Sequence, residues 1–147
     1  MTTVARRTAG RSATSGRPRS AVEGGLRLAV LSALVLDAVV HLRLADDYQL
    51  GYPQGIGGGT LFRLAAAAAL VVAVALLLTE RRLAYLAAAL VLGGACAAAV
   101  LYTYVDVPAI GPVPSLYEPV WYRDKVLSAV VEGAGALLAL LGARRTR

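Results

Sequence analysis

The sequence is short of the residues that usually carry catalysis or hold a soluble fold together. Charged residues make up only 16% of the 147-residue chain, well under the roughly 25% usual for soluble domains. Cysteine occurs once, at Cys96, so no internal disulfide can form, and its Ala-rich surroundings suit a buried apolar thiol. Histidine also occurs once, at His41. Without a His-x-x-His pair or a second cysteine, no metal is assigned from the sequence, although one histidine with two carboxylates is a chemically adequate set for a transition metal. There is no nucleophile–base set, phosphate-cradling loop or dinucleotide fingerprint, and GIGGGT at 55–60 has no strand before it. No catalytic residue is therefore named, and the cofactor stays unknown.

What the chain has in excess is apolar. Its residues are 58% hydrophobic with a mean hydropathy of +0.64. The apolar runs cover about 25–45, 61–79, 83–104 and 126–143, each 18 to 22 residues long, which suits a hydrocarbon layer at a rise of about 1.5 Å per residue. Backbone groups in lipid must be satisfied within their own segment, and the runs are too long and continuous for barrel strands, so only helices fit. The expectation is an all-α, four-transmembrane-helix bundle over residues 23–143. A disordered basic tail precedes it at 1–22 and a short basic tail follows at 144–147.

The net charge of +6 invites a nucleic-acid reading, and the positions of the arginines argue against it. Arg6, Arg7, Arg11, Arg17 and Arg19 precede the first run, Arg81 and Arg82 fill the turn after the second, and Arg144, Arg145 and Arg147 follow the fourth. Asp46, Asp47, Asp106, Glu118 and Asp124 gather on the other side. That asymmetry puts both termini in the cytoplasm of a multi-pass membrane protein, with the tail positioned to touch anionic lipid. The Arg6-Arg7 pair is a weak export signal, since the apolar run starts some twenty residues later without a small-x-small cleavage site.

The two outer loops read differently. DDYQLGYPQGIGGGT, from Asp46, is Gly-rich and reads as flexible; VDVPAIGPVPSLYEPVWY, from Val105, carries four prolines and reads as stiff and extended. Ser115-Leu116-Tyr117-Glu118 fits a capping box for the fourth helix, with Pro119 suited to a first helical position. Tyr48, Tyr52, Tyr102, Tyr104, Tyr117, Trp121 and Tyr122 all fall on this side, as an aromatic belt or as the wall of a ligand mouth. Tyr48, Glu118, Trp121 and Lys125 are the candidates for such a mouth. Small-xxx-small spacings in the third run, Gly93 with Ala97 and Gly94 with Ala98, predict tight helix packing.

Polar residues inside the runs are the ones that need explaining. Asp37 lies 11 residues past Leu26 and Glu132 lies 11 before Ala143, which places both carboxyls roughly 16 Å up, near the bilayer centre. His41, Ser128 and Arg63 fall at similar heights in the outer half. Asp37 and His41 share a face of one helix at i,i+4, as Ser128 and Glu132 share a face of another. Arg43 is off that face and can snorkel to the outer boundary. Ionised groups at the bilayer centre are costly and normally face the bundle interior and one another. Asp37, His41, Arg63, Ser128 and Glu132 are therefore expected to converge in an interior cluster, either as a network that fixes packing or as a binding site.

VVHLRLADDYQLGYPQGIGGGTLFRLAAAAAL and YVDVPAIGPVPSLYEPVWYRDKVLSAVVEGAGALLAL resemble a group of small four-span integral membrane proteins encoded widely in actinobacteria, of uncharacterised function. The likeness covers about half the chain. It rests on His41, Ile56-Gly57, Leu61-Phe62, Tyr117-Glu118-Pro119, Trp121, Lys125, Ser128 and Glu132. It implies a four-helix plasma-membrane protein and no particular activity; Arg63 departs from its pattern. The functional expectation is an accessory or small-ligand-binding protein acting through the polar cluster, with the lipid bilayer, a further copy of the chain or another membrane protein as partner. A quinone- or redox-linked membrane enzyme or subunit, and a proton-coupled small-solute transporter, are the alternatives.

Overall fold

The computed structural model describes residues 21–146, and its four helices are α1 (Ala21–Gly51), α2 (Gly58–Leu78), α3 (Arg82–Tyr104) and α4 (Arg123–Arg145). The described residues form an all-helical bundle, and each helix is long and apolar enough to cross a membrane. The tail expected at 1–22 lies outside the described residues up to position 20, and Ala21 and Val22 already belong to α1.

The helices run up and down in sequence order. Arg27 near the start of α1 meets the end of α2, Tyr85 near the start of α3 meets Gly142 near the end of α4, and Tyr48 near the end of α1 meets Tyr122 at the head of α4. One end of the bundle therefore holds the start of α1, the 79–81 turn and the end of α4; the other holds both long connections. We call these the terminal end and the loop end. The α1/α2 and α3/α4 pairs pack along their lengths, α4 also packs on α1, and the α2/α3 contact is slight.

Polarity is inverted relative to a water-soluble bundle. Leu64, Val71, Leu78, Leu90, Val130 and Leu137 are all more than half exposed, while Asp37, Thr103, Lys125, Ser128 and Glu132 are buried. A continuous apolar exterior of this kind matches hydrocarbon rather than water. Near the terminal end the interior is an apolar plug built on Val30, Leu34, Leu76, Tyr85, Leu92 and Ala139. Close approach there depends on small residues. A Cβ at Gly135 would lie 2.6 Å from Ala33 Cβ, and one at Gly142 would lie 2.4 Å from the Tyr85 ring. Missing side chains let α4 sit against α1 and α3 at these two levels.

Helix ends follow local chemistry. α2 stops where Thr79 turns extended, its N–H and hydroxyl both donating to Ala75 O at 2.9 and 2.8 Å. Arg27 completes that end by donating to the carbonyls of Leu76 (3.1 Å) and Leu77, and it pairs with Glu80 at 2.5 Å. These carbonyls have no helical partner, and a guanidinium satisfies them while complementing the helix dipole. α3 gives way at Val105, ahead of Val107 and Pro108, whose β-branching and ring disfavour a further turn.

Three sequence expectations about the loop end need correction. α1 does not end near Ala45 but continues to Gly51, for a length of about 45 Å at 1.5 Å per residue. The Gly-rich connection is correspondingly short and closely held rather than loose. Ile56 N–H donates to Pro112 O at 2.9 Å and Gly58 N–H to Tyr52 O at 2.7 Å. Gly55 sits at φ +61, where a Cβ would fall 2.0 Å from Pro112 O, so glycine is needed both for the dihedral and for the approach. Finally, Ser115 to Glu118 form no capping box. Residues 114–122 are non-helical and α4 starts at Arg123, because Glu118 N–H is taken by Tyr102 O at 2.9 Å, which holds the strand-like segment against α3.

Candidate functional site

Above the apolar plug, toward the loop end, the four helices enclose a cavity of about 390 Å³. Its side walls are mostly small: Ala65 and Ala68 from α2, and Gly94, Ala95, Ala98 and Ala99 from α3. The small residues expected to draw the helices tightly together instead leave space. Gly93 does pack on α4, since a Cβ there would lie 3.6 Å from Ala136, but a Cβ on Gly94 would meet nothing within 4 Å. Gly94 and Ala68 are exposed as well as cavity-lining, so the chamber opens sideways between α2 and α3.

The floor is polar. Asp37 and His41 from α1 and Ser128 and Glu132 from α4 line it, brought together because each pair is i,i+4 on its helix and the two helices pack face to face. One donor atom each from Asp37, His41 and Glu132 falls within 4.8 Å of the others. Asp37 and Glu132 are each only 1% exposed. His41 Nδ1 lies 3.0 Å from the Asp37 carbonyl oxygen, where hydrogen-bond geometry is met, and 2.9 Å from Asp37 Oδ1, where it is not. The imidazole is wedged against Phe62 of α2, with ring centroids 5.0 Å apart. Ser128 donates its hydroxyl to Glu132 Oε1. Asp37 Oδ1, Asp37 Oδ2 and Glu132 Oε2 are buried without a hydrogen-bond partner in the protein.

Arg63 is not part of this group. It lies in the first turns of α2 with its side chain half exposed and pairs with Asp46 at 2.5 Å. Counting residues along an apolar run fixes a height and not a direction around the helix, and the continuation of α1 past Ala45 supplies Arg63 with an acid on the outside. The place expected for it on the α2 side is taken by Phe62.

The mouth candidates divide. Tyr48 is buried and lines the chamber together with Lys125, Tyr102 and Tyr122. Its hydroxyl donates to Glu118 Oε2 and lies 3.2 Å from the Tyr122 hydroxyl. Lys125 donates to Glu118 O at 2.6 Å, with the Glu118 carboxylate 3.6 Å away. Glu118 thus ties the ceiling together rather than capping α4. Burial first, then the Glu118 carboxylate, push the Tyr52 and Tyr122 phenols above their ordinary range, so both stay protonated donors at neutral pH. Trp121 is on the outer surface, donating to the exposed Tyr104 hydroxyl at 3.1 Å. The aromatics therefore fall into two sets: Tyr104, Trp121 and Tyr117 face outward, while Tyr48, Tyr102 and Tyr122 wall the chamber.

Sequence reasoning missed Phe62 as a wall of the floor, and it left Tyr102 and Tyr122 among the outer-face aromatics, belt or mouth wall, without naming them as mouth candidates. The signal for Tyr122 was present in its place just ahead of α4, one turn from Lys125 and two from Ser128. No protein family, curated protein or solved structure matches the chain.

Proposed function

We propose that this chain is a multi-pass plasma-membrane protein, akin to the actinobacterial four-span proteins it resembles, that binds a small amphipathic ligand in its inter-helical chamber. The observation that carries the reading is a single cavity with a charged, hydrogen-bonding floor, small apolar walls and a side opening between α2 and α3. A polar head meets the floor, and an apolar body fills the walls and reaches the hydrocarbon through the opening. Arg81, Arg82, Arg144 and Arg145 at the terminal end, against Asp46, Asp47, Asp106 and Glu118 at the loop end, support threading with both termini cytoplasmic.

Organic extraction of the chain purified from its own membranes, followed by mass spectrometry, tests the binding role. An apolar species with a polar head should be retained by the native chain and lost from Gly94→Phe, whose ring enters the chamber where a Cβ meets nothing within 4 Å. Equal retention by both, or none by either, refutes it. Threading is tested in a Cys96→Ala background with an impermeant thiol reagent on intact cells. A cysteine at Gln54 should react, and cysteines at Ser12 or Thr146 should not.

A quinone is the second reading, favoured by the nearness of His41 and the phenols of Tyr48 and Tyr122 to an apolar slot, because quinone carbonyls need donors at one edge. A redox difference spectrum of the extract distinguishes it from a lipid or other amphiphile.

A further inference from the structure

We infer that Asp37, His41 and Glu132 form a binding site for one divalent transition-metal cation at the floor of the chamber. The inference deepens the ligand-binding reading by naming what sits between the protein and the ligand head. It also stands apart from that reading, because the metal can be measured with no organic ligand present.

Charge balance is the first ground. Two carboxyl groups are buried side by side in an apolar bundle, where two negative charges are not tolerated without a counter-charge. The nearby fixed cations are committed elsewhere, Lys125 to Glu118 and Arg63 to Asp46, and His41, 2.9 Å from Asp37 Oδ1, can offset one of the two charges at most. A divalent cation neutralises both carboxylates at once.

Unmet bonding is the second ground. Asp37 Oδ1, Asp37 Oδ2 and Glu132 Oε2 are buried acceptors that receive no hydrogen bond from the described residues, the nearest cationic atom being His41 Nδ1 at 2.9 Å from Asp37 Oδ1, and a buried polar atom left without a hydrogen bond is destabilising. A proton shared between the carboxyls would satisfy two of these oxygens, whereas a metal cation can accept lone pairs from both carboxylates and the imidazole together.

Orientation is the third. Metal ligands are generally held by hydrogen bonds from a surrounding shell. Ser128 donates to Glu132 Oε1, which leaves Oε2 as the free donor atom, and His41 is fixed by the Asp37 carbonyl and the Phe62 ring. With Nδ1–H donating to that carbonyl, Nε2 keeps the lone pair for the metal. Donor atoms around zinc at about 2.1 Å are about 3.4 Å apart in a tetrahedron. The present atoms lie within 4.8 Å, a gap closed by rotation of the carboxyl arms.

One imidazole with two carboxylates selects a first-row divalent ion such as zinc, manganese or iron over magnesium or calcium, which prefer all-oxygen sets. Three protein ligands leave a coordination position directed at the chamber, where a polar head can bind.

His41 is the only histidine in the chain, which makes the site identifiable without a variant. The full chain, purified in detergent without a histidine tag and stripped with chelator, is titrated with zinc by equilibrium dialysis and with copper for pulsed electron paramagnetic resonance. The expected result is one equivalent per chain and a single imidazole nitrogen coupling. Asp37→Asn and Glu132→Gln should each weaken zinc binding at least tenfold, with Glu118→Gln unchanged. Less than a tenth of an equivalent, or binding without imidazole coupling, overturns the site. Retention of an amphiphile by a chain that takes up no metal would leave the chamber's binding role intact and remove only the cation.

Discussion

Replacing Gly135 by alanine adds a single methyl group at the level where α4 lies closest to α1 and α3. The new Cβ would be 2.6 Å from Ala33 Cβ and 2.8 Å from Leu92 Cδ1, whereas carbon atoms rest at about 3.5–4.0 Å. Leu92 can rotate away, but the Ala33 methyl is fixed to its helix, so α4 must retreat by about 1 Å. Overpacking of this kind costs about 1–3 kcal/mol, offset by the gain of up to about 1 kcal/mol that alanine brings over glycine within a helix. The net expectation is a loss of about 0–2 kcal/mol, and a loss of about 1–3 kcal/mol relative to a glycine-to-alanine change without overpacking. Gly94→Ala supplies the comparison, because its Cβ meets nothing within 4 Å and only the helix gain applies. Both variants should be unfolded reversibly by titrating dodecyl sulfate into mixed micelles and followed by far-ultraviolet circular dichroism. The retreat of α4 also carries Glu132, one turn from Gly135, away from Asp37, so Gly135→Ala should bind zinc more weakly. If the two alanine variants are equally stable, the close α1/α4 approach inferred at Gly135 is wrong.

Arg27→Ala should destabilise by about 1–2 kcal/mol in the same titration, since it strips the last carbonyls of α2 of their donor; exposed Arg43→Ala should be near neutral, and a reversal would refute the capping role. Arg63→Ala should cost under about 1 kcal/mol, as an exposed pair does, and a larger loss would return Arg63 to the interior. Tyr48→Phe removes the donor to Glu118 and should cost about 1–2 kcal/mol, and more than Tyr104→Phe, which removes only an exposed hydroxyl that accepts from Trp121.

The four helices were legible because a long apolar run has few alternatives, and the floor of the chamber was legible because burying Asp37 or Glu132 alone is unfavourable while i,i+4 spacing fixes which neighbours share its face. Direction around a helix was not legible where nothing amphipathic marked it. Arg63 was assigned inward on height alone, and Asp46 was placed in a loop because hydropathy falls there although the helix continues. Composition misled in the same way at residues 55–59, where glycine permits close contact with Pro112, Gln49 and Ala45 rather than looseness. The alanines of α2 and α3 could not announce a cavity, because a small side chain is equally compatible with contact and with a gap. Which of these prevails depends on how far the partner helix stands away.

The uneven pairing of the helices gives the bundle a mechanical bias. α1 with α2 and α3 with α4 behave as two covers bound along the α1/α4 spine, while the α2/α3 edge is held by few contacts. Swinging that edge apart breaks little apolar packing, and such weakly packed edges are where local opening is least opposed. The ceiling is stitched across the two loops by Ile56 with Pro112, and to α3 by Glu118 with Tyr102. If the chain binds an amphiphile from a bilayer as proposed, the weak α2/α3 edge makes lateral entry the easiest route, and a molecule already dissolved in that layer would need no passage through water to arrive.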